Sequence, residues 1–254
     1  MEAGSSSRYT HYSSSFNAWL TRQQQDLEEL INGAASHAND PDKLRSLVEK
    51  DIHHFEEYRE VRLQLFQQDA LAFLCPAWCT TLENVLHWIG GYRPSMAIRL
   101  VYSLVGSELD APFEQYLKGE RNGTLSGTLS EISSAQMDQI NSLHMKILRE
   151  EDKISSRMAS LQDDVLDESL ATISKELSRV GEPREMADRA LVGHVSSLGV
   201  MLSEADKLRV STLKELREIL TPLQAVDMLI CTKKLLLSLH KWGQRWDLEK
   251  GNCR

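Results

Sequence analysis

Cysteine and histidine side chains are the first candidates for chemistry in this sequence, because both residue types ligate metal ions. The two cysteines of the stretch CPAWC, Cys75 and Cys79, are four residues apart and would share one face of a helix. A zinc site needs two more ligands at suitable spacing, and His53 and His54 are adjacent rather than one helical turn apart. We therefore predict no metal site, and we expect free thiols that are buried or half-buried.

Motifs typical of catalysis are not found. The sequence contains no nucleophile elbow, P-loop, dinucleotide fingerprint or HExxH zinc motif. The acidic runs at 149–152 (REED) and 162–164 (QDD) resemble solvated helix faces, and Lys146 and Lys153 lie one turn either side of Glu150, where they can form ion pairs. The chain is predicted not to be an enzyme.

One histidine, His240, lies on an otherwise apolar helical pattern in the stretch KKLLLSLHKWGQRW. It can be a packed or partly exposed residue near a helix C-terminus, with Gly243 ending the helix and the helix dipole favouring a cation. It can also be an axial haem ligand, because neutral imidazole in an apolar pocket suits haem iron. The sequence favours the first interpretation and leaves the second open.

An aromatic pair near the start of the chain is the candidate for binding a partner protein. The stretch from Ser14 to Asn32 has helical periodicity, and its apolar residues share one face: Phe16, Trp19, Leu20, Leu27, Leu30 and Ile31. The polar run 22–25 (RQQQ) interrupts that face. The helix therefore either docks on its own core, with Phe16 and Trp19 covering one end of the fold, or offers its aromatic residues to a partner.

The elements that must position these residues are helices, because nearly every long segment has helical periodicity and β signals are scarce. After the first helix we predict helices over 41–71, 76–89, 95–105, 136–165, 167–180 and 183–220, and a last helix that begins at Thr221-Pro222. Ser133 and Gln136 form a predicted capping box. The predicted fold is all-α, a bundle of about seven or eight helices, several of them long.

The predicted domain organisation is simple. Residues 1–13 form a disordered polar N-terminus, 14–246 a single helical domain with a Gly/Ser-rich mobile loop near 118–134, and 247–254 a flexible C-terminal tail. In 136–165 the apolar positions keep near-heptad spacing, which favours packing in the bundle but could also pair two subunits in a homodimer.

Composition limits the classes of partner. The formal net charge is −8, from 37 acidic and 29 basic residues, and no run of five or more Lys or Arg occurs. Direct binding to nucleic acid is therefore not expected, because neutralising phosphates needs a basic face. The start lacks the apolar segment of a signal peptide, and no stretch approaches the roughly 20 apolar residues of a membrane span. We expect a cytoplasmic or nuclear protein.

Two blocks of the sequence resemble a known family. The stretch 88–95 (WIGGYRPS) resembles the W-[IM]-G-G-x-R-P-S signature of the plant Delay-of-Germination domain, which seed-dormancy regulators share with the C-terminal region of TGA-type bZIP transcription factors. The block 204–209 (EADKLR), followed by Thr212-Leu213, Ile219-Leu220 and Gln224-Ala225, fits the same domain. The similarity spans roughly 16–242. The stretches 143–147, 160–164, 180–183 and 233–243 are more similar to the stand-alone dormancy regulators, and the chain lacks a basic zipper.

The resemblance implies binding functions. Dormancy regulators of this type bind and restrain type 2C protein phosphatases of abscisic-acid signalling through an N-terminal segment, and the matching positions here are Phe16, Trp19, Leu20 and Gln23. Haem binding is implied by a His-x3-His pair on the last helix, of which this sequence keeps His240 but has Leu236 in place of the first histidine. The alternatives are an adaptor that joins bZIP transcription factors, and a haem-dependent sensor.

Overall fold

Helices form all the regular structure in the part of the chain that the computed structural model describes, residues 2–106, 128–164 and 184–251. The prediction of an all-α fold is confirmed. The described α-helices are α1 (Glu2–His37), α2 (Pro41–Leu74), α3 (Thr81–Leu86), α4 (Ser95–Val105), α5 (Ser134–Asp164), α6 (Arg184–Ile219) and α7 (Pro222–Glu249), with a 3-10 turn at Thr128–Glu131. The predicted helix over 167–180 and most of the loop predicted near 118–134 lie outside the described residues.

Side-chain caps start the helices where the sequence predicts them. Asp40 accepts a hydrogen bond from the backbone N–H of Lys43 at 3.1 Å and begins α2. Thr221 and Gln224 form a capping box at the start of α7, and Ser133 and Gln136 form the same arrangement before α5. These local signals explain why the predicted helix starts at these three places are confirmed.

Helix α7 is the centre of the bundle. Its residues 224–231 are all buried, which is the pattern of a helix surrounded by others rather than lying on a surface. Helices α1 and α2 pack against α7, and α6 packs against α2 and α5. The largest cluster of buried apolar side chains joins these helices, with Leu30, Leu44, Ile98, Ile140, Leu216 and Leu229 among its members.

The apolar seam of α5 is used within the chain. Ile140, Ile147 and Ile154, which keep the near-heptad spacing, are all buried against neighbouring helices. This agrees with the predicted packing in a bundle, and these positions are not available for pairing with a second copy in this fold.

One carboxylate on α5 differs from its prediction. Glu151, assigned to a solvated face, is fully buried and accepts hydrogen bonds from the backbone N–H and hydroxyl of Ser95 at 2.7 and 3.1 Å, and from Arg93 at 3.2 Å. The unpaired N–H groups at the start of α4 attract the carboxylate, because a helix N-terminus binds anions.

The start of the chain is helical rather than disordered. Helix α1 begins at Glu2, whereas residues 1–13 were expected to be a disordered segment. Tyr12 is buried, and its ring contacts those of Phe73 and Trp78 with centroids 5.4 Å away in both cases. This aromatic contact explains the helical start, because it supplies buried area that the serine-rich stretch around Tyr12 lacks.

The end of the chain also differs from the prediction. Helix α7 continues through Gly243 and ends at Glu249, within the stretch 247–254 expected to be a flexible tail. Gly243 does not end the helix. Its missing side chain lets Thr80 approach, because a Cβ at this position would lie 2.6 Å from the Cβ of Thr80. Asp247 also accepts a hydrogen bond from the backbone N–H of Thr81 at 3.0 Å, which holds the last turn of α7 on α3.

The predicted helix over 76–89 is much shorter in the structure. Helix α3 starts at a capping box of Thr80 and Glu83 and ends at Leu86. The residues that follow leave helical geometry, because Ile89 and Gly90 have positive φ angles of 48° and 70°. The stretch 88–95, hereafter the signature loop, is therefore irregular chain as far as Pro94, and its last residue, Ser95, begins α4.

Candidate functional site

The residues predicted to bind a partner face the interior of the bundle. Trp19 is buried and stacks on Tyr58, with ring centroids 4.3 Å apart and planes 2° from parallel. Leu20 is buried in the main core, and Phe16 is half-buried, with its ring centroid 5.8 Å from that of His240. In this fold the aromatic pair of α1 docks on its own chain.

A buried ionic cluster explains the polar interruption in the apolar face of α1. The ammonium of Lys233, fully buried on α7, donates to Gln23 Oε1 at 2.8 Å and lies 2.6 Å from Asp51 Oδ1 and 3.5 Å from Asp26 Oδ2. His54 Nδ1 lies 3.0 Å from Asp26 Oδ1. Gln23, Asp26, Asp51, His54 and Lys233 are called the ionic cluster below. Gln23 is thus a polar residue that links α1 to α7.

The ionic cluster has the donor atoms of a metal site, but it supplies its own cation. Asp26, Asp51 and His54 each offer one ligand atom, and these atoms lie within 4.8 Å of one another. The ammonium of Lys233 occupies the position between the two carboxylates. Burial raises the pKa of Asp51, against the opposing effect of Lys233. The cluster therefore holds three helices together by buried ion pairs, and the sequence prediction, which considered Cys75 and Cys79, did not find it.

The two sequence blocks that carry the family resemblance meet in space. Arg209, from the second block, donates to the carbonyl oxygens of Tyr92 at 2.7 Å and Ile89 at 3.0 Å, and also to that of Trp88. Arg62 on α2 donates to the carbonyl of Gly90 at 2.7 Å. Two guanidinium groups therefore donate hydrogen bonds to the carbonyls of a loop that has no regular secondary structure to satisfy them.

A single carboxylate holds both arginines. Asp206 accepts from Arg62 Nε at 2.7 Å and from Arg209 Nη1 at 2.6 Å. Burial opposes the charge of Arg62, but the attraction of Asp206 outweighs burial and raises the pKa of Arg62. For Arg209, burial is the larger effect and lowers the pKa. Gly91 leaves room beside them, because a Cβ there would lie 3.0 Å from Arg209 Cζ, a tight contact. The family signature thus has a structural role. Its loop and the side chains of Arg62, Asp206 and Arg209 form a joint that connects α2 to α6.

A cavity of about 220 Å³ lies between this joint and α1. Phe16, Trp19 and Leu20 line its α1 side, and residues of the signature loop, α2, α4, α6 and α7 line much of the rest. The cavity places the predicted partner-binding residues and the family signature around one space.

The residues near His240 do not fit a haem site. Nδ1 of His240 lies 3.0 Å from Glu83 Oε2, and Leu236, in place of the first histidine, lines the cavity. Burial raises the pKa of Glu83, but hydrogen bonds from His240 and Thr80 outweigh this and hold it below its usual value. A cavity of about 220 Å³ lies below the roughly 300–1,000 Å³ of sites for drug-sized ligands, so it is too small for haem, which is a large cofactor.

The cysteines of CPAWC are not on one helix. Cys75 is exposed at the end of α2, Cys79 is buried in the turn before α3, and both are free thiols, as is the buried Cys231. Burial raises the pKa of Cys231 to about 12. Separately, no helix among the described residues has the length and apolar run needed to cross a membrane.

Comparison with known proteins decides the family. The sequence pattern of the seed dormancy control family matches residues 23–103. Protein DOG1-like 3 of Arabidopsis thaliana is 35% identical over 239 residues, which cover 92% of this chain and 84% of that protein. The chain belongs to the seed dormancy control family. The resemblance predicted from WIGGYRPS is confirmed.

Other relatives place the chain within a wider group. Protein DOG1-like 2 of Arabidopsis thaliana is 34% identical over 232 residues, covering 90% of this chain and 88% of that protein. The TGACG-sequence-specific DNA-binding protein TGA-2.1 of Nicotiana tabacum is 28% identical over 238 residues, which cover 92% of this chain but 46% of that protein. Membership of the seed dormancy control family supports a role as a dormancy regulator.

Residues that the sequence prediction missed lie within the family's matched region. Asp26, Asp51 and His54 fall inside 23–103, as do Arg62 and the signature loop. A signal was present, because polar residues stood at positions where the helical period of α1 and α2 expects apolar ones. Only the fold shows that these polar positions face one another.

Proposed function

We propose that this member of the seed dormancy control family regulates dormancy, germination or a related developmental programme by binding and restraining a type 2C protein phosphatase of abscisic-acid signalling. It acts by binding rather than by catalysis, in the nucleus and the cytoplasm. Family membership supports the dormancy role, and similarity to the TGA proteins supports the nuclear location.

The observation that carries the proposal is the way α1 is docked. Its aromatic residues cover a cavity of about 220 Å³ instead of a filled core, so they lose part of the dispersion contacts that close packing supplies. Two turns further on, α1 is held by the ionic cluster, whose desolvation offsets part of its Coulombic attraction. We infer from these two features that the N-terminal half of α1 can detach from the bundle.

Release of α1 presents the predicted binding residues to the phosphatase. Phe16, Trp19 and Leu20 become an exposed aromatic cluster on an amphipathic helix, and Gln23 supplies a polar contact. Helices of this kind bind apolar grooves, and a few buried aromatic residues dominate the binding free energy. Docked, the same residues close the bundle, so α1 has two alternative partners.

Calorimetric titration against a panel of type 2C phosphatases of the abscisic-acid pathway tests the proposal. We expect micromolar or tighter binding, weakened at least tenfold by Phe16→Ala, which is a loss of about 1.4 kcal/mol. Phe16 is preferable to the fully packed Trp19, because Trp19→Ala removes a core side chain. Ile31→Ala, at an exposed position on the same helix, is the matched control and should bind as the wild type does.

Hydrogen exchange of the complex identifies the surface used. If α1 leaves the bundle, the amides facing α7 at the ionic cluster lose protection when the phosphatase binds. No binding to any phosphatase would rule out the proposed function. Binding with unchanged exchange in α1 and no effect of Phe16→Ala would assign the phosphatase to another face.

The similarity to TGA proteins supports a second candidate, an adaptor for bZIP transcription factors. The net charge of −8 makes direct DNA binding unfavourable, so the adaptor would reach DNA only through its partner. A DNA footprint that enlarges when this chain joins a bound bZIP factor would favour the adaptor. An unchanged footprint, with no comigration, would exclude it.

A further inference from the structure

Three residues that line the cavity behind α1 carry buried polar atoms that the protein does not satisfy. Among the described residues, Tyr92 Oη, His87 Nδ1 and Arg59 Nε are buried without a hydrogen-bond partner. All three residues line the cavity. Buried polar atoms are nearly always paired, by protein, water or a ligand, so three unpaired atoms around one space indicate that something binds there.

The charges around the cavity are already balanced. Arg62 and Arg209 pair with Asp206, and other donors of these two arginines bind carbonyls of the signature loop. The two other arginines of the lining also have carboxylate partners, Arg59 in Glu60 and Arg93 in Glu151. Glu83, the other carboxylate in the lining, pairs with His240. A charged group entering the cavity would therefore lose its hydration without gaining a free ionic partner.

The unsatisfied groups themselves are mostly neutral. Burial lowers the pKa of His87 to about 4 and raises the pKa of Tyr92, so at neutral pH the first is an uncharged imidazole and the second an uncharged phenol. Their rings are in contact, with centroids 5.1 Å apart. The phenol O–H can donate, and Nδ1 of a neutral imidazole donates or accepts according to its tautomer, so each suits a hydroxyl or carbonyl group.

The geometry points to a binding site for a small, uncharged, mainly apolar molecule that carries one hydroxyl or carbonyl group. Its apolar body contacts Phe16, Trp19 and Leu236, and its polar end lies between Tyr92 and His87. An apolar cavity of about 150 Å³ accepts benzene, so one of about 220 Å³ is matched to a fused two-ring compound or a chain of similar volume.

Three probes of nearly equal size test this site, namely 2-naphthol, naphthalene and 2-naphthoate, with binding measured by saturation-transfer NMR on the full chain. We expect 2-naphthol to bind saturably and about tenfold tighter than naphthalene, because its hydroxyl group makes one buried hydrogen bond that naphthalene lacks. 2-Naphthoate should bind more weakly than 2-naphthol. Tight binding of the carboxylate would overturn the assignment of an uncharged ligand.

Variants locate the probe. Tyr92→Phe should reduce 2-naphthol binding to the level of naphthalene, while Tyr102→Phe, which removes a hydroxyl bound to Asn141 outside the cavity, should change nothing. Ala97→Phe fills the cavity from α4 and should abolish binding of all probes, with Leu236→Phe as the substitute if that variant does not fold. No saturable binding by wild type, or binding that survives the filled cavity, would refute the site and leave water as the partner of these atoms.

Discussion

Lys233 shows how strongly one residue can determine the docking of a helix. Its ammonium is the buried cation of the ionic cluster and bridges α7 to carboxylates on α1 and α2. In the sequence, Lys233 is followed by another lysine and then by three leucines, and this context gives no sign of its role. Sequence patterns report burial through apolar residues, so a buried lysine paired with distant aspartates is invisible until the fold brings them together.

Replacing this lysine tests the ionic cluster. Lys233→Met should lower the free energy of unfolding by about 3–5 kcal/mol, because it leaves buried carboxylates without a cation. Adding Asp26→Asn and Asp51→Asn should recover much of that loss, since the remaining polar groups are then uncharged. Urea unfolding measures both, with Lys241→Met on the exposed side of α7 as the control. A triple variant no more stable than the single one would contradict the role assigned to the cluster.

His87 gives a pH dependence of known sign. Burial lowers its pKa from 6.5 to about 4, so between these values the unfolded chain binds a proton that the folded chain does not. The free energy of unfolding should therefore fall as pH drops from about 6.5 to 4, by at most about 3 kcal/mol from this residue. His87→Gln, neutral at every pH, should show a smaller fall in denaturant titrations. His53→Gln, at a side chain 65% exposed, should retain the wild-type slope, and an identical slope in all three proteins would refute this origin.

At the scale of elements, the cap signals at Asp40, Ser133 and Thr221 were reliable because they are local. The start predicted at Pro76 was wrong, since α3 begins after a cap at Thr80. A proline after a cap residue, or a capping box, involves side chains within one turn of each other, as at Asp40 and Thr221. The ends of α3 and α7 could not be predicted in the same way. Gly243 has the usual character of a helix end, but a tertiary contact with Thr80 decides its role.

Two helical glycines allow the effect of helix propensity on stability to be compared with the effect of a tertiary contact. Gly193→Ala in α6 has open space around the new Cβ and should raise the free energy of unfolding by up to about 1 kcal/mol, because alanine favours helix. Gly243→Ala in α7 gains the same propensity, but it forces Thr80 away and should lower the free energy of unfolding by about 1–3 kcal/mol. Thermal unfolding of the pair compares them directly. Stabilisation by both substitutions would show that α3 is not packed on α7 as described.

At the scale of the molecule, we propose that 14–246 folds as one domain, because α1, near its start, and α7, near its end, pack together and share the ionic cluster. The class of fold was predictable, since nearly every long segment of the sequence has helical periodicity. The cavity was not, because its walls come from helices distant in the sequence. The same residues of α1 that suggest a partner site also line that cavity, so burial and partner binding are alternatives for them rather than separate functions.

The last prediction follows from this shared use of α1. A molecule in the cavity contacts Phe16 and Trp19 only while α1 is docked, whereas the proposed phosphatase contacts them only when α1 is released. The two ligands should therefore oppose each other, and linkage requires that each weakens the other's binding by the same factor. Calorimetric titration of the phosphatase with and without saturating 2-naphthol, and of 2-naphthol with and without phosphatase, measures both factors. Ala97→Phe, which closes the cavity to the probe, should remove the effect of 2-naphthol on phosphatase binding. If both ligands bind wild type with undiminished affinity, then α1 stays docked in the phosphatase complex, and the phosphatase must bind an outer face of the bundle.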